Sequence, residues 1–247
     1  MCFELDSVPP IPPIEGGAVD HRDLELESDD GNRFAAFAAL PEEPSETGVA
    51  ILPDVRGLYR FYEELALRFA ERGLAAVAID FYGRTAGVGK RGDDFDYPVH
   101  RAQTTAEGVQ ADVRAGVQWL RDQGIGSIFT VGFCFGGRHS WLAAAGGHGL
   151  QGAVGFYGMP GGDSPSPIDR AGDMEAPILA LQGGADQHIT AELNAEFDQA
   201  LTDAGVEHEV VTYPGAPHSF FDRKQEAFAD DSADAWNRTL EFIERRR

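Results

Sequence analysis

Four short, largely apolar runs constrain the architecture of this chain more than any other feature. They are Val49-Ala50-Ile51-Leu52, residues 74–79, residues 128–131 and Ile178-Leu179-Ala180-Leu181. Each is too short for a helix and apolar on both faces, as in a parallel-sheet strand covered from both sides. Residues 152–157 and 207–213 read as two further strands. Between the strands the spacing turns helical. Phe61, Leu65 and Phe69 recur at i, i+4, i+8 with Gly73 as a stop, Val109, Val113, Val117 and Leu120 line one face, and residues 191–204 continue the pattern. A last helix presents Trp236, Leu240 and Ile243. Ahead of all this, residues 24–27 alternate, Asp29-Asp30-Gly31-Asn32 supplies a turn, and residues 33–40 run as a second strand, which is a hairpin signal. The implied class is α/β, a mostly parallel central sheet flanked by helices and opened by an antiparallel hairpin, in one domain over residues 21–247. Residues 1–20 are proline-rich and read as an arm packed on the body. Residues 81–104 and 158–177 read as long loops.

Charge and cysteine usage exclude several function classes. The 247 residues carry 41 acidic and 20 basic side chains, a formal charge of −21, and the only lysines are Lys90 and Lys224. Such a surface repels phosphate backbones and anionic lipid heads, so neither nucleic acid nor membrane is expected as a partner. A salty habitat or a biased genome would leave the same signature. The first fourteen residues contain Glu4, Asp6 and four prolines, with no basic or apolar signal region, so a cytoplasmic location is expected. Cys2 and Cys134 are the only cysteines, too few and too poorly spaced for a structural disulfide or a zinc site, and no metal is expected. The expected partner is a small molecule, bound by a monomer or weak homo-oligomer.

Within this frame, Thr130-Val131-Gly132-Phe133-Cys134-Phe135-Gly136-Gly137 places a cysteine between glycines where a strand passes into a helix. A nucleophile on such a sharp turn sits in a strained backbone, and glycines two residues to either side relieve the crowding. A glycine-rich helix start around a buried, inert cysteine would give the same pattern. Ligands of open α/β sheets bind at the carboxyl ends of the strands. Asp186 follows the strand ending at Leu181, and His218 follows the strand ending at Tyr213. Cys134, Asp186 and His218 therefore occupy three strand ends in the nucleophile–acid–base order of the α/β-hydrolases. His218 would take the thiol proton, Asp186 would fix its tautomer, and the helix dipole would favour the thiolate. The backbone N–H groups of Phe135 and Val55 would form the oxyanion hole. His139 and His188 lie away from the base position, and Asp163, Asp169 and Asp173 sit in an upstream loop. Asp54 and Arg84, also at strand ends, complete the candidates.

These residues resemble the dienelactone hydrolase (carboxymethylenebutenolidase-like) family. The likeness rests on Gly132-Phe133-Cys134-Phe135-Gly136-Gly137, on Asp80-Phe81-Tyr82-Gly83-Arg84, and on Pro217-His218-Ser219-Phe220 followed by Ala235-Trp236. It implies a Cys134–Asp186–His218 triad that opens enol-lactones without metal or organic cofactor. It also implies a thiol-switching carboxylate, here Asp54 in place of a glutamate, paired with Arg84. A second family arginine that holds the substrate carboxylate falls at Asp222, with Arg223 one residue late. The resulting expectation is a cysteine hydrolase of enol-lactones or activated esters acting through a thioester acyl-enzyme, with Arg84 and Arg223 as substrate contacts. A broad esterase or thioesterase, or a non-catalytic ligand-binding module on the same fold, stands as the alternative.

Overall fold

Each apolar run becomes a strand of one eight-stranded sheet. The computed structural model describes residues 4–14 and 19–247; Cys2 and residues 15–18 of the arm lie outside the described residues. The strands are β1 (Val19–Glu27), β2 (Arg33–Pro41), β3 (Thr47–Leu52), β4 (Ala75–Ile79), β5 (Ser127–Phe133), β6 (Gly152–Phe156), β7 (Ile178–Gly183) and β8 (His208–Tyr213). Their spatial order is β1-β2-β4-β3-β5-β6-β7-β8. β1 pairs antiparallel with β2, and β2 with β4; every later pairing is parallel. β3 and β4 have no residue that is not buried, as their unbroken apolar sequence predicts.

The helices cover the two faces. Helix α1 (Arg60–Ala70) and the C-terminal α7 (Ala229–Glu244) share one face, where the Phe69 and Trp236 rings meet at 4.7 Å between centroids. Helices α4 (Ala106–Asp122), α5 (Phe135–Ala144) and α6 (Ala191–Ala204) cover the other, with Val113, Val117, Trp141 and Phe197 in its core. Trp141 packs on Phe197 at 4.9 Å and donates its indole N–H to the carbonyl of Leu179. Local signals set the helix ends. The Thr105 and Thr190 hydroxyls accept from Gly108 N and Leu193 N as N-caps, and Gly205 closes α6 in the left-handed region at φ 70°.

Residues 81–104 depart from the expected loop. They hold two short helices, α2 (Gly83–Ala86) and α3 (Tyr97–Arg101). At four and five residues neither is long enough to show a hydrophobic period, yet Pro98 in the first turn of α3 is a helix-start signal in the sequence. Residues 4–14 run along the body. Arg56 donates to the carbonyl of Glu4 and the hydroxyl of Ser7, Arg223 N donates to the Val8 carbonyl, and Ile11 is buried. No helix among the described residues is long and apolar enough to cross a membrane.

His139 reports on the packing behind the elbow helix. Its ring is buried against Phe135, 4.4 Å between centroids, and among the described residues its Nδ1 has no hydrogen-bond partner. Burial, aided by the nearby charges of Arg138 and Arg101, lowers its pKa to about 3. Between that value and an unfolded value near 6.5, only the unfolded chain binds the proton, so stability falls as pH drops through this window. Urea unfolding at pH 7 and pH 5 is expected to show wild type losing about 2 kcal/mol more than His139→Leu on acidification. Equal losses in the two proteins contradict the assignment.

Candidate active site

The turn from β5 into α5 holds Cys134 at φ 53° and ψ −109°, a conformation side-chain-bearing residues rarely adopt. Two backbone bonds fix it: Cys134 N–H donates to the Phe156 carbonyl at 2.9 Å, and Arg138 N–H donates to the Cys134 carbonyl at 3.2 Å. The crowding inferred from the sequence is present. A Cβ on Gly132 would collide with the Gly136 carbonyl, and one on Gly136 would collide with the carbonyls of Leu52 and Pro53 at the end of β3. The glycines thus let the start of α5 press against β3 and β5 together. Cys134 stands at the N-terminus of a ten-residue helix, where the dipole favours a thiolate.

Asp186 lies just beyond β7 and His218 beyond β8, and the two meet. His218 Nδ1 donates to Asp186 Oδ2 at 2.5 Å, while Asp186 Oδ1 accepts the N–H groups of His188 at 2.8 Å and Ile189 at 3.2 Å. Burial alone would raise the Asp186 pKa; the bond from His218 and the two backbone N–H groups more than cancel this and hold it below the ordinary carboxylate value. The carboxylate side chain is 0% exposed and the imidazole 22%, so the ring is the member of the pair that faces solvent. With the proton held on Nδ1, Nε2 is the acceptor. Cys134, His218, Val55 and Phe135 all line one cleft of 610 Å³.

The loop after β3 is fixed by polar contacts on every side. Asp54 is fully buried, its N–H donates to the Tyr62 hydroxyl, and the Tyr82 hydroxyl donates to the Val55 carbonyl at 2.6 Å. The Asp54 carboxylate accepts from Arg56 N at 2.8 Å, from Nε at 3.1 Å to each oxygen, and from Nη2 at 2.9 Å. Burial opposes the Arg56 charge, yet the Asp54 carboxylate outweighs that and raises its pKa above the ordinary arginine value.

This corrects the expected pairing of Asp54 with Arg84. Arg84 instead donates to Asp112 Oδ2 at 2.5 Å and Asp30 Oδ2 at 2.7 Å, because Asp112 is buried and needs a cation. Arg223 donates to the carbonyls of Pro9 and Ile11, and Asp222 accepts from Val8 N and Lys224 N. Neither Arg84 nor Arg223 lines the cleft of Cys134. The arginines that do are Arg101, from α3, and Arg138, one turn beyond the cysteine in α5. Arg138 spends its donors on the carbonyls of Met159, Gly161, Asp163 and Pro165, which pins that loop. Arg101 stacks over the Phe135 ring at 4.2 Å and pairs with no carboxylate among the described residues. No group of three or more His, Cys, Asp and Glu among the described residues converges on a metal-binding arrangement.

Residues 34–246 match the model of the dienelactone hydrolase family. A chain of Escherichia coli (strain K12), provisionally named carboxymethylenebutenolidase, is 32% identical over 227 residues, covering 86% of this chain and 83% of its own length. The carboxymethylenebutenolidase of Rhodococcus opacus is 28% identical over 260 residues, 99% of this chain and 97% of that one. Among solved structures, one from Klebsiella pneumoniae, provisionally named dienelactone hydrolase, superposes with a TM-score of 0.82 at 27% identity, covering 92% of this chain and 99% of the other.

The Asp54–Arg56 contact generates a stability test. Arg56→Met leaves the buried carboxylate uncompensated and is expected to cost about 3–5 kcal/mol in urea unfolding, most of it recovered by adding Asp54→Asn. A single variant as stable as wild type would mean that another group neutralises Asp54.

Proposed function

The chain belongs to the dienelactone hydrolase family, and from that premise we propose that it hydrolyses enol-lactones or activated carboxylic esters with Cys134 as nucleophile, through a thioester acyl-enzyme. One observation carries the reading: the Asp186-bound imidazole of His218 and the strained Cys134 line the same cleft. His218 Nε2 takes the thiol proton. The Cys134 sulfur then attacks the carbonyl carbon, forming a C–S bond while the π electrons move onto oxygen. The Val55 and Phe135 N–H groups stabilise that oxyanion. As the carbonyl re-forms, the C–O bond to the leaving group breaks, and His218 returns its proton to the departing oxygen. Water, deprotonated by His218, attacks the thioester carbonyl; the C–S bond breaks, the acid leaves, and His218 returns its proton to the Cys134 sulfur. Asp186 holds the imidazole in the tautomer both half-reactions need. Asp54, chelated by Arg56, sets the position of the Val55 peptide.

Arg101 supplies the substrate contact that Arg84 and Arg223 do not. A guanidinium stacked on Phe135 without a carboxylate partner favours substrates whose own carboxylate lies beside the scissile bond.

Two assays test this reading. Wild type is expected to turn over cis- or trans-dienelactone or a neutral aryl ester, and Cys134→Ala to lose about 1000-fold or more of that rate. A Cys134→Ala protein as fast as wild type contradicts it. Arg101→Gln is expected to lower kcat/KM for carboxylate-bearing substrates about 10-fold more than for neutral esters. Equal effects on both would remove its assigned role.

A further inference from the structure

A second chamber adjoins the cleft of Cys134. It encloses 350 Å³ and shares two wall residues with that cleft, Val55 and Tyr97. Its other walls are mainly apolar or aromatic: Leu5 from the N-terminal arm, Tyr59 and Phe95. Arg56 also reaches it, but the guanidinium is neutralised by Asp54 and lies over the Tyr59 ring at 4.5 Å. The remaining charges on its rim are the exposed carboxylates Asp93 and Asp96. The neighbouring cleft has the opposite balance, two arginines, Arg101 and Arg138, to one carboxylate, Asp163. A neutral apolar group fits the second chamber, and an anionic one is repelled from it.

We propose that this chamber binds the distal part of an uncharged acyl chain, and that Leu5 of the arm sets the length accepted. The proposal rests on the reading of Cys134 as nucleophile. Val55 supplies an oxyanion N–H, so the scissile carbonyl sits where the two spaces meet. The leaving group must lie within reach of His218, which lines the cleft and not the chamber. The substituent that crosses past Val55 and Tyr97 is therefore the acyl chain. Leu5 is held by its backbone: its carbonyl accepts from Arg60, and the Tyr59 hydroxyl lies between that carbonyl and the Asp93 carboxylate. Its side chain is 44% exposed, so it can be exchanged without opening the core.

The test is a series of p-nitrophenyl esters from acetate to octanoate, with wild type, Leu5→Trp and Leu5→Ala, each checked for an unchanged melting temperature. Wild type is expected to gain up to about fourfold in kcat/KM for each methylene that enters the chamber. Leu5→Trp is expected to shorten the preferred chain and Leu5→Ala to lengthen it. A half-ester with a terminal carboxylate should be a poorer substrate than the neutral ester of the same length. A flat length profile in wild type, or a profile unmoved by both variants, overturns the chamber assignment while leaving the nucleophile in place. Loss of all ester turnover in wild type overturns the functional reading itself.

Discussion

The site depends on one close approach, that of the first turn of the elbow helix to the ends of β3 and β5. It exists because Gly132 and Gly136 have no Cβ where the backbone of the turn and of residues 52–53 must pass. The same contact forces Cys134 to φ 53° and joins it to β6 through the Phe156 carbonyl. A flexible loop could carry a cysteine to the same place, but the packed turn holds it on a helix N-terminus in the cleft that Val55 also lines. Parallel neighbours β7 and β8 then deliver Asp186 and His218 from the same edge of the sheet.

Charge is distributed around this turn with little to spare. A chain with 41 acidic and 20 basic residues has few cations to place, and its buried carboxylates claim several of them. Asp54 takes Arg56, Asp80 takes Arg91 and Asp112 takes Arg84. An unpaired buried carboxylate is costly enough that these pairings come before substrate recognition. Arg101 sits on a partly exposed helix facing the cleft, with an aromatic face in place of an acidic partner, so its charge is available to a ligand.

The strands, the covering helices and the order of the chemical groups were legible because each rests on a local pattern. Apolar runs gave β3, β4, β5 and β7; the valines at 109, 113 and 117, each four residues apart, gave α4; the glycines around Cys134 announced the turn. What the sequence left open was contact between side chains on different loops. Asp54 finds a partner two residues away only because the loop folds back, with Gly57 at φ 75°, so that Arg56 can wrap its carboxylate. The family resemblance pointed to Arg84, whose actual partners, Asp30 and Asp112, lie on a hairpin turn and a helix distant in sequence. Helix α3 was hidden by its brevity, and with it the two cleft residues Tyr97 and Arg101; the Asp96-x-Pro98 start was the one signal available.

The claim on which all of this turns is that an acyl group passes through the Cys134 sulfur. Wild-type protein mixed briefly with an activated ester, quenched in acid and mapped by peptide mass spectrometry tests it directly. A thioester on Cys134 gives a transient mass increase equal to the acyl group, located on the peptide containing Cys134 and discharged on return to neutral pH. Steady turnover with the adduct on another residue, or with none at any quench time while Cys134 stays open to alkylation, contradicts it.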